Sequence, residues 1–164
     1  MTIKPGYKMT GVRVIPKDWS YASISPLETY GWAKNYSEFG APFVRITNLV
    51  RSSPQLKLCD LKRVQPDPED SEGLRTSPEH SDLLISITAD IGIVGVVDST
   101  RLELPAYINQ HIALVRIATG AANSKFIAYF WGDEQAQRRF RAFTDSGAKA
   151  GMSLREPLKT LFSS

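Results

Sequence analysis

The chain of 164 residues has a single cysteine, Cys59. One thiol closes no internal disulfide and makes no cysteine-ligated zinc site, so Cys59 reads as a small buried or half-buried side chain. Histidine is scarce too: His80 and His111 lie far apart in sequence, a poor start for paired acid–base chemistry. No apolar run is long enough to cross a bilayer. The opening MTIKPGYKMTG lacks the apolar stretch of a secretory signal, and a cytoplasmic protein with no membrane partner is expected. There is no P-loop, no serine-nucleophile signature and no N-P-P-[YF] or D-P-P-[YF] tetrapeptide of adenine methyltransferases. Gly92 and Gly95 lie between or within strand-like runs, where a turn in the core explains them better than a dinucleotide or S-adenosylmethionine site does. Asp67, Glu69, Asp70 and Glu72 are close together, but Pro66 and Pro68 make their loop irregular and the spacing is not that of a calcium loop. The expectation is a non-enzyme with no metal and no cofactor.

Charge is present but unevenly spread. Residues 1–63 carry ten Lys/Arg and four Asp/Glu (+6), residues 64–100 one and eight (−7), and residues 101–164 nine and five (+4), for a net +3. The acids concentrate in the turn-rich loop Gln65–Gly73. A polyanion would avoid that loop and approach the two basic segments.

What organises the chain is Asp82 to Ile117. Leu83–Thr88, Ile91–Val97 and Ile112–Ile117 are short Ile/Val-rich runs, too short for helices and punctuated by Gly and Asp, as strands are. Ala89-Asp90-Ile91-Gly92 is a tight link in which Gly92 supplies backbone freedom. Before this stretch, residues 1–10 read as a flexible leader and Gly11–Ile15 as a first strand, with Asp18 able to cap a helical turn and Trp19 packing inward. Ser23–Gly40, broken by Pro26, Gly31 and Gly40, reads as a loop. Pro42–Thr47 reads as a strand with Phe43, Arg45 and Thr47 on one face and Val44 and Ile46 on the other, closed by Asn48. Leu58–Val64 is a short helix or strand. Ser124–Phe143 is the clearest helical segment, broken at Gly132-Asp133, with Asp133 able to cap a second helix. Ala136, Phe140 and Phe143 form its buried stripe, and Gln137, Arg138, Arg139 and Arg141 fall on the other faces. Thr144–Ser153 is a Gly/Ala/Lys loop and Leu154–Phe162 a short tail. The expected fold is α+β: one compact domain over residues 11–164, with a central mixed or antiparallel β-sheet flanked by short helices.

Five blocks in order carry a family resemblance. They are Ile15-Pro16-Lys17-Asp18-Trp19; Gly40 to Leu49 (GAPFVRITNL); the central strands with the TADIG turn and Tyr107 to Leu114 (YINQHIAL); Lys125–Phe130 with Gln135–Phe140; and Gly147 to Leu154 (GAKAGMSL). Over residues 11 to 161 the chain resembles a target recognition domain of the specificity subunit of type I restriction-modification enzymes. A complete subunit of that family resembles two such domains alternating with two long spacer helices. Here there is no internal repeat and no spacer helix, so the chain is expected to be either a truncated half or one whose partner chains supply the rest. The resemblance implies a non-catalytic, cytoplasmic component that binds double-stranded DNA and reads one half of a split target. Its implied partners are a modification (methyltransferase) subunit, a motor-nuclease subunit and a second specificity half.

Three segments offer groups for phosphate anchoring and base readout. The first is Lys34-Asn35-Tyr36 with Arg45, Thr47 and Asn48. The second is Asn109-Gln110-His111. The third is Ser146–Gly151, where Lys149 stands between glycines that admit a nucleic-acid backbone. Each has a plainer role open to it: Asn48 can cap a turn, Gln110 can satisfy buried backbone groups, and Arg45 can be a snorkelling strand residue. Two other functions use the same fold: a protein-interaction module anchored by Tyr30, Trp32 and Tyr36, or a DNA-binding domain outside any restriction complex. Salt-titrated DNA binding and co-purification with a modification subunit separate the three.

Overall fold

The computed structural model describes residues 3–9, 14–16, 28–29, 36–67, 69, 73, 76–117 and 122–145. In chain order the strands are β1 (Tyr7–Met9), β2 (Val14–Pro16), β3 (Glu28–Thr29), β4 (Ala41–Val44), β5 (Lys62–Val64), β6 (Leu83–Ser86), β7 (Val94–Val96), β8 (Tyr107–Ile108) and β9 (Ile112–Val115). Two helices follow, α1 (Ser124–Gly132) and α2 (Glu134–Asp145). The strands form three sheets: an antiparallel pair β1-β2, an antiparallel sheet in the order β3-β9-β6-β7, and a mixed sheet in the order β5-β4-β8. The α+β class expected from the sequence is the one adopted.

The four-stranded sheet is covered on both faces. On one side Leu83, Ile85, Val94, Val96, Ala113 and Val115 pack against Ile127, Ala128 and Trp131 of α1 and Ala136 and Phe140 of α2. On the other, Leu84, Ile112 and Leu114 pack against Val44 and Ile108 of the mixed sheet. A strand buried on both faces needs no polar alternation, which is why Leu83, Leu84 and Ile85 form an unbroken apolar run. The result is a helix layer, a sheet and a second sheet, each burying a face of its neighbour.

Both ends of β6 are pinned. At its start Asp82, almost fully buried, accepts from Arg116 Nε (3.0 Å) and Nη2 (2.7 Å), while Arg116 Nη1 meets Glu79 at 3.1 Å. Arg116 directly follows β9, whose Val115 pairs with Leu83, so the ion pair closes the β6–β9 ladder. At its end the buried Ser86 hydroxyl donates to Asp90 O (2.5 Å) and accepts from Ile93 N (2.8 Å), tying off the turn into β7. Within that turn Ala89 and Gly92 take positive φ, +56° and +85°. Gln137 of α2 then donates to Gly92 O (2.7 Å) and Trp131 O (2.8 Å), and Arg51 bonds both Gln137 and Asp90.

Several expectations change. Tyr7–Met9, inside the expected leader, forms β1, and Glu28–Thr29, inside the expected loop, forms β3 along the edge of β9. Strand β4 stops at Val44 rather than Thr47, because Asn48 Oδ1 accepts Arg45 N (2.8 Å) and folds Ile46–Asn48 into a 3-10 turn. Gln137 is buried, not on an outer face; its amide satisfies two carbonyls that the helix pair would otherwise orphan. Cys59 is exposed, not buried. The break at Gly132-Asp133 is where expected, and Asp133 Oδ2 accepts Gln135 N (3.3 Å) at the start of α2. Asp18, Trp19 and Leu154–Phe162 lie outside the described residues, as does the side chain of Phe143.

Gly92 is the position least able to accept a side chain in this turn. A Cβ there would sit 2.9 Å from the Phe140 ring, on a backbone at φ +85°. Gly92→Val combines backbone strain of roughly 1–3 kcal/mol with overpacking of about the same size. Thermal denaturation should therefore register a fall of several degrees or more, and an unchanged melting temperature would refute this role.

Candidate nucleic-acid interface

The geometry that gathers the candidate residues is one parallel strand pair. β4 and β8 run in the same direction, with Phe43 opposite Tyr107 and Val44 opposite Ile108. Asn109 N donates to Val44 O (3.1 Å), so the ladder runs to the last residue of β4. The chain therefore leaves both strands at the same end. The turn Arg45–Asn48 and the turn Asn109–His111 emerge side by side there, although they are far apart in sequence.

The first turn is built around Asn48, which is 1% exposed. Besides holding Arg45 N, its Nδ2 donates to Lys57 O (2.8 Å), and its own carbonyl accepts Lys57 N (2.8 Å). Both the oxygen and the nitrogen of the amide are bonded inside the protein, so Asn48 positions the turn and Thr47, beside it, is the exposed residue.

Arg45 is likewise held. Its Nη2 donates to the Asp60 backbone oxygen and to Asp60 Oδ2, both at 2.9 Å, and its guanidinium carbon lies 5.6 Å from the Tyr36 ring centroid. The Tyr36 ring in turn tilts against Phe43 at 6.1 Å. Arg45 has only 17% of its side chain exposed, which leaves Tyr36, at 55%, as the outermost member of this stack. Lys62 Nζ approaches the other Asp60 oxygen at 3.4 Å. The hydrogen bond from Arg45, then the bond and charge of Lys62, hold the Asp60 carboxyl below the usual aspartate range. With Lys57, the described residues around this turn include the cations Arg45, Lys57 and Lys62 and the carboxylate of Asp60.

The second turn is tight. Ile112 N donates to Asn109 O (3.0 Å), and Asn109 Oδ1 accepts His111 N (3.2 Å). That leaves the Asn109 NH2 as its donor group. Gln110 is exposed, and its Nε2 stands 3.4 Å from His111 Nε2, too long for a firm bond. His111 Nδ1 pairs with the Thr88 hydroxyl at 2.7 Å. Thr88, Asp60, Lys57 and Lys62 join this site only through the fold. Thr88 borders the Ala89–Gly92 turn, which marks its place; nothing local in Asp60 or Lys62 points to Arg45.

Tyr36, Arg45, Thr47, Asn48, Asn109, Gln110 and His111 are thus described, and two of the three expected segments meet at one end of the mixed sheet. Lys34, Asn35 and Lys149 lie outside the described residues. Among the described residues no group of three His, Cys, Asp or Glu side chains is placed to hold a metal ion, and no helix is long and apolar enough to cross a membrane.

The Arg45–Asp60 pair sets a pH expectation. A lowered carboxyl pKa means that the pair's contribution is complete above the ordinary aspartate value of 3.8 and is lost as pH falls through the lowered folded value. Arg45→Ala should raise the Asp60 pKa toward 3.8, as read by carboxyl-carbon NMR titration. An Asp60 titration identical in both proteins would remove Arg45 as the cause.

No family model matches the chain, and no curated protein matches it. Among solved structures it is similar to the HsdS subunit from Thermoanaerobacter tengcongensis, at 13% identity and a TM-score of 0.43 over 98% of this chain and 40% of that one. It is also similar to a chain from a study of complex assembly and conformational transition of the type I R-M system, at 15% identity and a TM-score of 0.45 over 98% of this chain and 43% of that one. The chain spans less than half the length of either.

Proposed function

We propose that this chain is a non-catalytic DNA specificity module. It binds double-stranded DNA and reads one half of a bipartite target for a cytoplasmic type I restriction-modification complex. In that complex a modification subunit carries the methyl transfer, a motor-nuclease subunit the cleavage, and a second specificity half the other part of the target. The observation that carries the reading is the parallel β4–β8 pairing, which places two polar turns from distant parts of the chain at one net-positive end. The five ordered sequence blocks supply the type of complex.

The roles divide by what each side chain has left to offer. Gln110 is exposed and bears the amide that pairs with adenine N6 and N7 in the major groove. Asn109, through its NH2, and Thr47, through its hydroxyl, offer shorter reach to base edges or phosphates. His111 is oriented by Thr88, and its Nε2 faces the Gln110 amide. Arg45 is a fixed positive charge beneath Tyr36 rather than a free base reader, since Asp60 holds its guanidinium. Asn48 sets the turn that presents Thr47. Lys57 and Lys62 flank this end as phosphate anchors, and Lys34, Asn35 and Lys149 extend the contact set from the sequence pattern.

Two variants separate readout from anchoring. Gln110→Ala should relax preference at one base position, at a cost of about 1–3 kcal/mol on the preferred duplex. Lys149→Ala should weaken all duplexes about equally and lower the salt slope of log K by about 1. Titration of preferred and scrambled duplexes at several salt concentrations reads both effects. Wild-type protein that binds no duplex even at low salt would defeat the proposal.

A further inference from the structure

The end of the mixed sheet opposite the two turns has a different character. There β5 ends at Val64 beside the loop 37–40 that leads into β4, and this loop holds the most exposed large apolar side chain among the described residues, Phe39, at 73%. A single exposed apolar residue on a mobile loop would mean little. This loop is locked. Ser37 N donates to Arg63 O (2.9 Å), and Phe39 N donates to Ser37 Oγ (3.2 Å). Gly40 sits at φ +111°, and any Cβ there would meet Val64 O at 2.2 Å. Arg63 Nη1 donates to Gly40 O (2.6 Å), and its Nη2 bonds Glu103 at 2.8 Å. These bonds hold the backbone that carries Phe39, so a partner meets a loop that is already shaped.

The surroundings of Phe39 are acidic. Glu38 precedes it and is exposed, and Glu103 lies across Arg63, its own side chain 65% exposed. Asp67 and Glu69, both exposed, follow β5 at the same end. Among the described residues, Glu38, Asp67, Glu69 and Glu103 stand against Arg63, so carboxylates outnumber cations here. A phosphate backbone is repelled here, whereas the opposite end carries the excess of cations.

We propose that Phe39 and its acidic rim are a protein-docking knob, and that its occupant is a protein surface with an apolar socket edged by Lys or Arg. A buried aromatic anchor supplies the affinity of such a contact, and the rim charges select the partner and its orientation. The mixed sheet is then bipolar, with nucleic acid at the Arg45–His111 end and protein at the Phe39 end. The docking knob rests on its own residues and stands whether or not the opposite end binds DNA.

The test is site-specific photocrosslinking of the full chain in the cells that produce it, with p-benzoylphenylalanine at position 39 and, as a separate probe, at position 47. The expected result is a protein adduct at position 39 whose crosslinked peptide carries Lys or Arg beside apolar residues. Glu38→Lys should lower its yield by about tenfold or more, because like charges then face each other. Phe39→Ser should leave the melting temperature and duplex-DNA affinity unchanged, which separates docking from folding and from DNA binding. A DNA adduct at position 39, an adduct only to a second copy of the chain, no adduct, or a protein adduct indifferent to Glu38→Lys would each overturn the proposal. The probe at position 47 reports on the other end alone: failure to crosslink DNA there counts against the DNA reading and not against the knob.

Discussion

Strand β6 has no face turned to water, and the rest of the molecule follows from that constraint. Its side chains enter two cores at once, Leu83 and Ile85 toward the helices and Leu84 toward the mixed sheet. A one-residue slip in its pairing would exchange those sets, so the register of β6 against β7 and β9 fixes both layers together. The pins at its ends act on that register. Asp82 at one end is almost fully buried, and losing its partner would strand a charge away from water. Breaking a fully buried pair costs about 3–5 kcal/mol, a ceiling here because Arg116 is more than a third exposed and partly screened. At the other end the turn closed by Ser86 is reached by α2 through Gln137, so the helix layer also reads the position of β6.

The polar end inherits its order from this core. Two parallel strands cannot be joined by a hairpin; the chain must leave, cross over and return. Between β4 and β8 it builds β5, β6 and β7, and the pairing of β4 with β8 closes only after that excursion. Val44 and Ile108, which directly precede the two turns, pack on Leu84, Ile112 and Leu114 from the buried sheet. The spacing between Thr47 and Gln110 is therefore set by the β4–β8 ladder and by the apolar packing under the turns. Turns carried on a packed scaffold can change their side chains without changing the fold beneath them.

The parts legible in the sequence are those whose signal is local. Leu83–Ser86, Val94–Val96 and Ile112–Val115 announce themselves by Ile/Val density, and the two helices by the Gly132-Asp133 break. What escaped depends on partners distant in the chain. Glu28–Thr29 is a strand only because the edge of β9 is open to it. Thr47 leaves its expected strand because Asn48 offers the backbone a better acceptor than a neighbouring strand does. Gln137 looks like a surface residue until Gly92 O and Trp131 O are seen above it. At the candidate site the residue types in the two turns were legible, but their adjacency was not, since nothing near Val44 or Ile108 in sequence specifies a parallel pair. Nor was the capture of Arg45 by Asp60, which the antiparallel return of β5 brings into reach.

In the proposed role the chain reads DNA sequence through a few side chains on a fixed frame. The measurement that bears most directly on this is selection of bound sequences from a pool of random duplex DNA by the wild-type chain. The expected result is enrichment of one short, contiguous sequence of a few base pairs, as for one half of a split target. Recovery of duplexes with no shared sequence, or of none above background, would contradict it.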